Sequence, residues 1–406
     1  MFNSPVKKIL LILFFSLCLR IVAIFFFADT QIDKEWGIMI YNLENYKMLS
    51  SRVVDGSPVP NLFMPPLYAL FLYSIKLIFT DTSLFLNMTI FIQLTLSIVS
   101  ILLMYFIFLR LFEKKFSLIG TTIYAFFPLN IYAVSQISSI TLQMFLINLY
   151  LFYFIKIFYE MKKIDLLLFS VISALLILLR GEFFIFVLFS LFYLLLKKRK
   201  LIQIFFTTIF IILLITPYLY RNYTIFNIFT ITKSTGFNLL KGNNPKTKVE
   251  GIGLYGAVKV VVPEVKNEIE KLEEKGPIAR HDLEKDQILL DQALKFIKQD
   301  PKKYFNLYVK KFLSFFFIDI NSSYPNYYSL FHIIPKIFLS IGTLMGIILA
   351  FNLKFNLQNY FIIFYLSNIA LFSVFFILPR YSLILLPIQL LISMEGTKIL
   401  TRKFFN

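Results

Sequence analysis

The sequence has little of what braces small secreted or metal-built proteins: one cysteine and two histidines in 406 residues. Cys18 has no partner for an intrachain disulfide, and it sits inside an apolar run where it reads as a packed apolar residue. His281 and His332 stand far apart without ligand-like spacing, which argues against a zinc site. Acidic residues are also scarce, 23 against 41 lysines and arginines, and the formal charge is +18. In their place stands apolar mass: 58% of residues are apolar and 50 are phenylalanine, with a mean hydropathy of +0.75. A soluble globule of that composition would leave too much oily surface in water, so the expected solvent is lipid. Backbone polar groups must then be satisfied within each segment, which predicts helices rather than open sheets.

Several apolar runs reach the ~20 residues needed to cross a bilayer, among them 9–27, 84–109 and 201–219. The first follows Lys7 and Lys8 and ends in Phe25, Phe26 and Phe27 instead of a small-residue cleavage site, so it reads as a retained helix. A charge of +18 could suggest nucleic acid, but the basic residues occur in short clusters between apolar runs. These are Lys7 and Lys8; Arg110, Lys114 and Lys115; Lys156, Lys162 and Lys163; Lys197 to Lys200; and Lys398, Arg402 and Lys403. That is an orientation signal, and placing every cluster in the cytoplasm threads the chain through about ten transmembrane helices. The spans are 9–27, 84–109, 116–132, 140–158, two within 166–196 that turn at Arg180-Gly181-Glu182, 201–219, 334–350, 360–377 and 381–394. The segment 67–79 is only about 20 Å long as a helix and is read as interfacial.

The fold class expected is therefore an all-α polytopic membrane protein with an interfacial helix in the first external loop and a small external α-rich insert. Residues 1–221 form an N-terminal transmembrane catalytic module containing the loop 28–66. Residues 222–303 form the insert, and 304–406 carry the C-terminal transmembrane helices. The insert contains the turn sequence Gly242-Asn243-Asn244-Pro245 and a charged helical stretch at 264–299 with many i,i+4 Lys/Glu pairs. It is too small and too polar for a large core of its own, and no internal repeat is evident.

Polar chemistry gathers on the non-cytoplasmic face. After the first helix comes an acidic cluster, Asp29, Asp33 and Glu35, beside the only tryptophan, Trp36. A carboxylate there could take the proton from an attacking hydroxyl. The same residues also read as a solvated loop with an interfacial Trp. Arg221 and Lys241 could clamp a phosphate, or could anchor by snorkelling and cation–π contact. Arg180 with Glu182, Lys310 with Lys311, and Arg380 with Tyr381 each fall at the expected outer end of an apolar stretch. Such a ring suits a phosphate headgroup that leaves with developing negative charge. Asp33, Glu35 and phosphate oxygens could hold a divalent metal, although no spacing argues for one, and no other cofactor is expected.

The ordered set resembles the C-type (GT-C) glycosyltransferase superfamily, specifically bacterial relatives of the protein O-mannosyltransferases and of the lipid A aminoarabinose transferases. The likeness runs through Asp33 and Glu35, Pro65-Pro66-Leu67-Tyr68, the 128–132 helix end and Leu179-Arg180-Gly181-Glu182. It continues through Arg221-Asn222-Tyr223, Gly242-Asn243-Asn244-Pro245, the 300–311 segment and Pro379-Arg380-Tyr381. It implies an inverting transferase of the cytoplasmic (inner) membrane that takes a sugar from a polyprenyl-phosphate donor at the periplasmic face. The acceptor would be a lipid, a glycan or a protein. Asp33 is the implied base with Glu35 as substitute, and Arg221, Lys241, Arg380, Arg180 and Lys311 are the candidate phosphate ligands. Pro65, Tyr68, Asn222, Asn243, Asn244 and Tyr381 are candidate substrate contacts. One departure stands out: where many relatives have an acid after the proline-containing helix end, this chain reads Ser135-Gln136-Ile137-Ser138-Ser139. A lipid-linked sugar flippase and a surface-polysaccharide polymerase or ligase are the competing functions.

Overall fold

The computed structural model describes residues 5–30, 32, 35–54, 56–198, 200–251, 263–275, 280–319, 330–352 and 354–405. Asp33 lies outside the described residues. The chain is a helical, multi-pass membrane protein. Among the described residues six helices are long and apolar enough to cross a bilayer: Val6–Phe27, Thr82–Leu111, Ser139–Tyr159, Leu201–Phe226, Leu330–Ala350 and Leu357–Val374. A pair bent by 54°, Lys114–Phe126 with Pro128–Ser135, makes a seventh if counted as one span. The bend falls where Pro128, lacking an N–H and fixing φ, must start a new helix.

In chain order the helices are α1 (Pro5–Phe27), α2 (Glu35–Tyr46), α3 (Pro66–Ile78), α4 (Thr82–Leu111), α5 (Lys114–Phe126), α6 (Pro128–Tyr132), α7 (Ser139–Tyr159), α8 (Lys163–Leu179), α9 (Phe183–Lys198) and α10 (Leu201–Phe226). Then come α11 (Thr235–Gly242), α12 (Pro263–Glu273), α13 (His281–Gln299), α14 (Pro301–Phe316), α15 (Leu330–Ala350), α16 (Leu357–Val374), α17 (Pro379–Ile384) and α18 (Leu386–Phe405). The 166–196 stretch does part at Arg180-Gly181-Glu182, giving α8 and α9. Among the described residues the only sheet is a hairpin in the first loop, β1 (Arg52–Val54) against β2 (Ser57–Val59), turned by Gly56 at a φ of 77°.

The core sits around α7, which is buried along most of its length, while α1 and α10 present their apolar side chains outward. Outward Phe14, Phe15, Phe25, Phe205 and Phe206 are what a lipid-facing helix needs. Inside, the Phe154 and Tyr360 rings stack at 3.9 Å and Ser190 bonds the Tyr360 hydroxyl at 2.7 Å, so the buried hydroxyl is satisfied. In the C-terminal pair α15 and α18 the backbones nearly touch: a Cβ on Gly396 would lie 2.6 Å from the Gly346 Cα. Small residues allow that approach between membrane helices. A separate small cluster, Leu239, Leu240, Val265, Ile269, Leu289 and Ala293, closes the insert. A Cβ on Gly236 would meet the Asp286 carbonyl at 1.9 Å, so α11 packs backbone against backbone on α13.

Candidate functional site

The first loop is held to the insert by charge-assisted bonds. Arg52 donates to Asp282 Oδ1 at 2.6 Å and faces the His281 ring nitrogen at 2.6 Å, while the Leu62 N–H donates to Asp282 Oδ2 at 3.0 Å. The Lys233 N–H donates to the Leu62 carbonyl at 2.8 Å. Asp282 and Asp286, four residues apart, share one face of α13 and both line a cleft of about 90 Å³ with Glu35, Lys233, Phe63 and Phe237. Asp286 is 3% exposed; its Oδ1 accepts from the Phe237 N–H, and its Oδ2 has only Lys233 Nζ, at 4.0 Å. Glu35 opens α2 and is exposed into this cleft.

Beside the cleft, three cations converge on two rings. The Arg180 and Arg380 guanidiniums lie 5.2 and 5.6 Å from the Tyr381 ring centre. Lys241 Nζ lies 4.3 Å above Phe376, whose ring is 5.8 Å from Tyr381. The chain positions them by three separate devices. Arg180 follows the last turn of α8 and bonds Glu182 at 2.6 Å; Lys241 rides the last turn of α11; Pro379 starts α17 one residue before Arg380. Burial pulls the Lys241 ammonium below its usual range, Arg380 pushes it the same way, and Glu35 opposes both. Burial also acts against the Arg180 charge, but Glu182 and Tyr381 raise it above its ordinary value. Among the described residues Glu182 balances one of the three cations and Glu35 reaches a second, which leaves these groups net positive.

The other residues expected at the site are placed differently. Arg221 donates to the Asn61 carbonyl at 2.9 Å, the Leu49 carbonyl at 3.4 Å and Asn222 Oδ1 at 2.8 Å, so it brackets the first loop. Asn222 is buried and donates to the Thr230 carbonyl at 2.6 Å. Lys311 is fully buried, and its ammonium donates to the Gly242 carbonyl at 2.7 Å, Asn243 Oδ1 at 3.2 Å and the Phe375 carbonyl at 2.5 Å. Asn243 and Asn244 turn their amides onto helix-end carbonyls, Val374 at 2.8 Å and Leu240 at 2.9 Å. Pro65 is the extended residue that caps α3. Tyr68 is 1% exposed, bonds Gln93 Oε1 at 3.2 Å and meets Trp36 edge-on at 4.8 Å. The acid-free 135–139 stretch pairs through its backbone with the start of the first loop: the Asp29 N–H donates to the Ser135 carbonyl at 3.0 Å. Among the described residues no three His, Cys, Asp or Glu side chains meet as metal ligands. Sequence reasoning did not single out Arg52, Asp282 and Asp286; the aspartates' four-residue spacing on one helix face was the available signal.

The architecture defines a class: a helical membrane fold shared with solved oligosaccharyltransferases. The particular structures are two from Archaeoglobus fulgidus. One is the crystal structure of the oligosaccharyltransferase tethered through a disulfide bond with an acceptor peptide containing the NVT sequon, with 15% identity and a TM-score of 0.56. The other is the oligosaccharyltransferase AglB in complex with an inhibitory peptide and a dolichol-phosphate, with 14% identity and a TM-score of 0.55. Each superposition covers 98% of this chain and 50% of the other, so the chain spans half the length of the structures it matches. At these identities the likeness is one of fold, and at that level it agrees with the C-type glycosyltransferase resemblance of the sequence. No family model matches the chain, and no curated protein does.

Proposed function

We propose that the protein is an inverting glycosyltransferase that moves a sugar from a polyprenyl-phosphate carrier to an acceptor hydroxyl at the periplasmic face of a bacterial inner membrane. The observation that carries this is the convergence of Lys241, Arg380 and Arg180 on Tyr381 and Phe376, with Glu35 acting on Lys241. An excess of positive charge at the membrane boundary suits a lipid phosphate, and it stabilises the charge that grows on that phosphate as the glycosidic bond breaks. The neighbour AglB, seen with a dolichol-phosphate, supports a lipid-phosphate ligand for this fold.

In this reading the acceptor enters the cleft bounded by Glu35, Asp286 and Lys233, and its hydroxyl attacks the anomeric carbon. The proton passes to a carboxylate of the first loop, Asp33 or Glu35, and the carrier phosphate leaves toward Lys241 and Arg380. A divalent cation on Asp33, Glu35 and the phosphate would supply further charge stabilisation. Arg221, Lys311, Asn222, Asn243 and Asn244 act at one remove, by holding the loops that carry the reacting groups. The 1–221 module then supplies the base, the 222–303 insert the acceptor wall, and 304–406 the Arg380 arm.

The test is incubation of the purified protein in lipid with radiolabelled polyprenyl-phosphate sugars, following loss of donor in wild type, Asp33→Asn and Glu35→Gln. Loss abolished by one of these substitutions, with donor binding kept, is the expected result. Movement of intact donor across a vesicle bilayer without cleavage would instead make the protein a flippase. Transfer from a diphosphate-linked polymer would make it a polymerase or ligase.

A further inference from the structure

Between α1 and α5 runs an open groove of about 540 Å³ that shares no lining residue with the cleft. It is lined by Leu118, Ile119, Thr122 and Ile123, mostly apolar, and by three lysines, Lys8, Lys114 and Lys115, two of which hold the first turn of α5 ahead of the apolar residues. All three are exposed, and among the described residues none of them forms an ion pair. The nearest acid in sequence, Glu113, is turned to Arg402 at 3.5 Å. Lys114 and Lys115 also open α5, where exposed backbone N–H groups already make the helix end positive. Three cations without an ion-pair partner among the described residues, two at the start of α5 and one in the first turn of α1, repel one another unless an anion joins them.

We propose that this groove binds one anionic phospholipid, its phosphate between Lys8, Lys114 and Lys115 and an acyl chain along Leu118, Ile119 and Ile123. Charge complementarity selects the occupant. A zwitterionic lipid carries its own cation and gains little from three lysines, whereas a singly anionic headgroup gains about fivefold in affinity for each lysine it meets near the surface. The apolar floor distinguishes this place from the other basic clusters, because it offers the acyl chain a seat that bulk lipid does not. The position at the base of α1 makes the lipid a brace for the helix that delivers the first loop.

The experiment is native mass spectrometry of the full-length protein released from detergent after equilibration with phosphatidylglycerol or phosphatidylcholine. Wild type should retain one phosphatidylglycerol per chain and no phosphatidylcholine. The triple variant Lys8→Gln, Lys114→Gln, Lys115→Gln should lose it by about a hundredfold in affinity, while Lys162→Gln with Lys163→Gln, on a basic cluster elsewhere, should keep it. A second variant, Thr122→Trp, fills the groove and leaves every charge in place; it too should lose the lipid. Equal retention of both lipids, unchanged binding in the triple variant, or full binding in Thr122→Trp would each overturn the proposal.

Discussion

At Arg380 and Lys241, positive charge exceeds the acids that reach it among the described residues. Arg380 is exposed and Lys241 is held near it by α11, where the Arg380 charge works against that of Lys241. Such an arrangement pays off only with an anion bound. Arg380→Ala and Lys241→Met should each raise the donor KM by about tenfold to a hundredfold, the worth of one charge-assisted hydrogen bond, with kcat falling further if the contact strengthens as the phosphate leaves. Initial-rate kinetics at saturating acceptor would check this; an unchanged KM in both variants would move the phosphate elsewhere. Both stand out in the sequence because Arg380 follows directly on an apolar stretch and Lys241 directly precedes the Gly-Asn-Asn-Pro turn. Asn243 and Asn244 were legible only as polar residues in that turn. An amide that binds a ligand and one that caps a helix look alike until the carbonyls it meets are known, and here those carbonyls belong to Leu240 and Val374.

Elements meet at two clamps. The first is Lys311 on α14, which joins the ends of α11 and α16 through the Gly242 and Phe375 carbonyls and so fixes the spacing between Lys241 and Phe376. Lys311→Met would leave these buried acceptors unpaired, at a cost of about 3 kcal/mol, and should lower the unfolding temperature in detergent. Burial pulls the Lys311 ammonium from 10.5 to about 7. With its folded value the lower one, the native state binds fewer protons than the unfolded state between pH 7 and 10.5. The stability of wild type relative to Lys311→Met should therefore rise with pH across that window, by at most ~1.4 kcal/mol per unit, and stay level below it. Unfolding midpoints at pH 6.5, 7.5 and 8.5 would show this; a level difference would mean that the three acceptors keep the ammonium charged throughout. The second clamp is Arg52 with Asp282. Asp282→Ala should free the first loop from the insert and make it cleavable by protease while the helical bundle stays resistant. Neither clamp was legible beforehand, because each joins residues 69 or 230 positions apart and nothing local marks them. The long apolar helices were legible, down to the break at Arg180-Gly181-Glu182, because run length and proline placement are local properties, whereas α2 (Glu35–Tyr46), inside what the sequence presents as a loop, was not.

For the whole molecule, the issue is which side of the membrane the site faces. The structure places Lys241, Arg380 and Arg180 together at one cluster, and Lys114 and Lys115 at a groove elsewhere on the molecule. Positive-inside reasoning assigns the groove to the cytoplasm because Lys8, Lys114 and Lys115 belong to basic clusters, and alternation then puts the site outside. Two positions test this directly, since both are exposed and lie clear of the cleft and the cation cluster: Lys246, just past α11, and Lys163, at the start of α8. In a Cys18→Ser background, a cysteine at 246 should react with a membrane-impermeant maleimide in intact cells, and one at 163 only after the membrane is opened. The reverse pattern would turn the molecule over, put the phosphate cluster in the cytoplasm and remove the reason to expect a periplasmic sugar donor. Labelling of both from outside would mean that the number of spans from α8 to α11 is even, and would make α9 a helix that dips into the bilayer without crossing it.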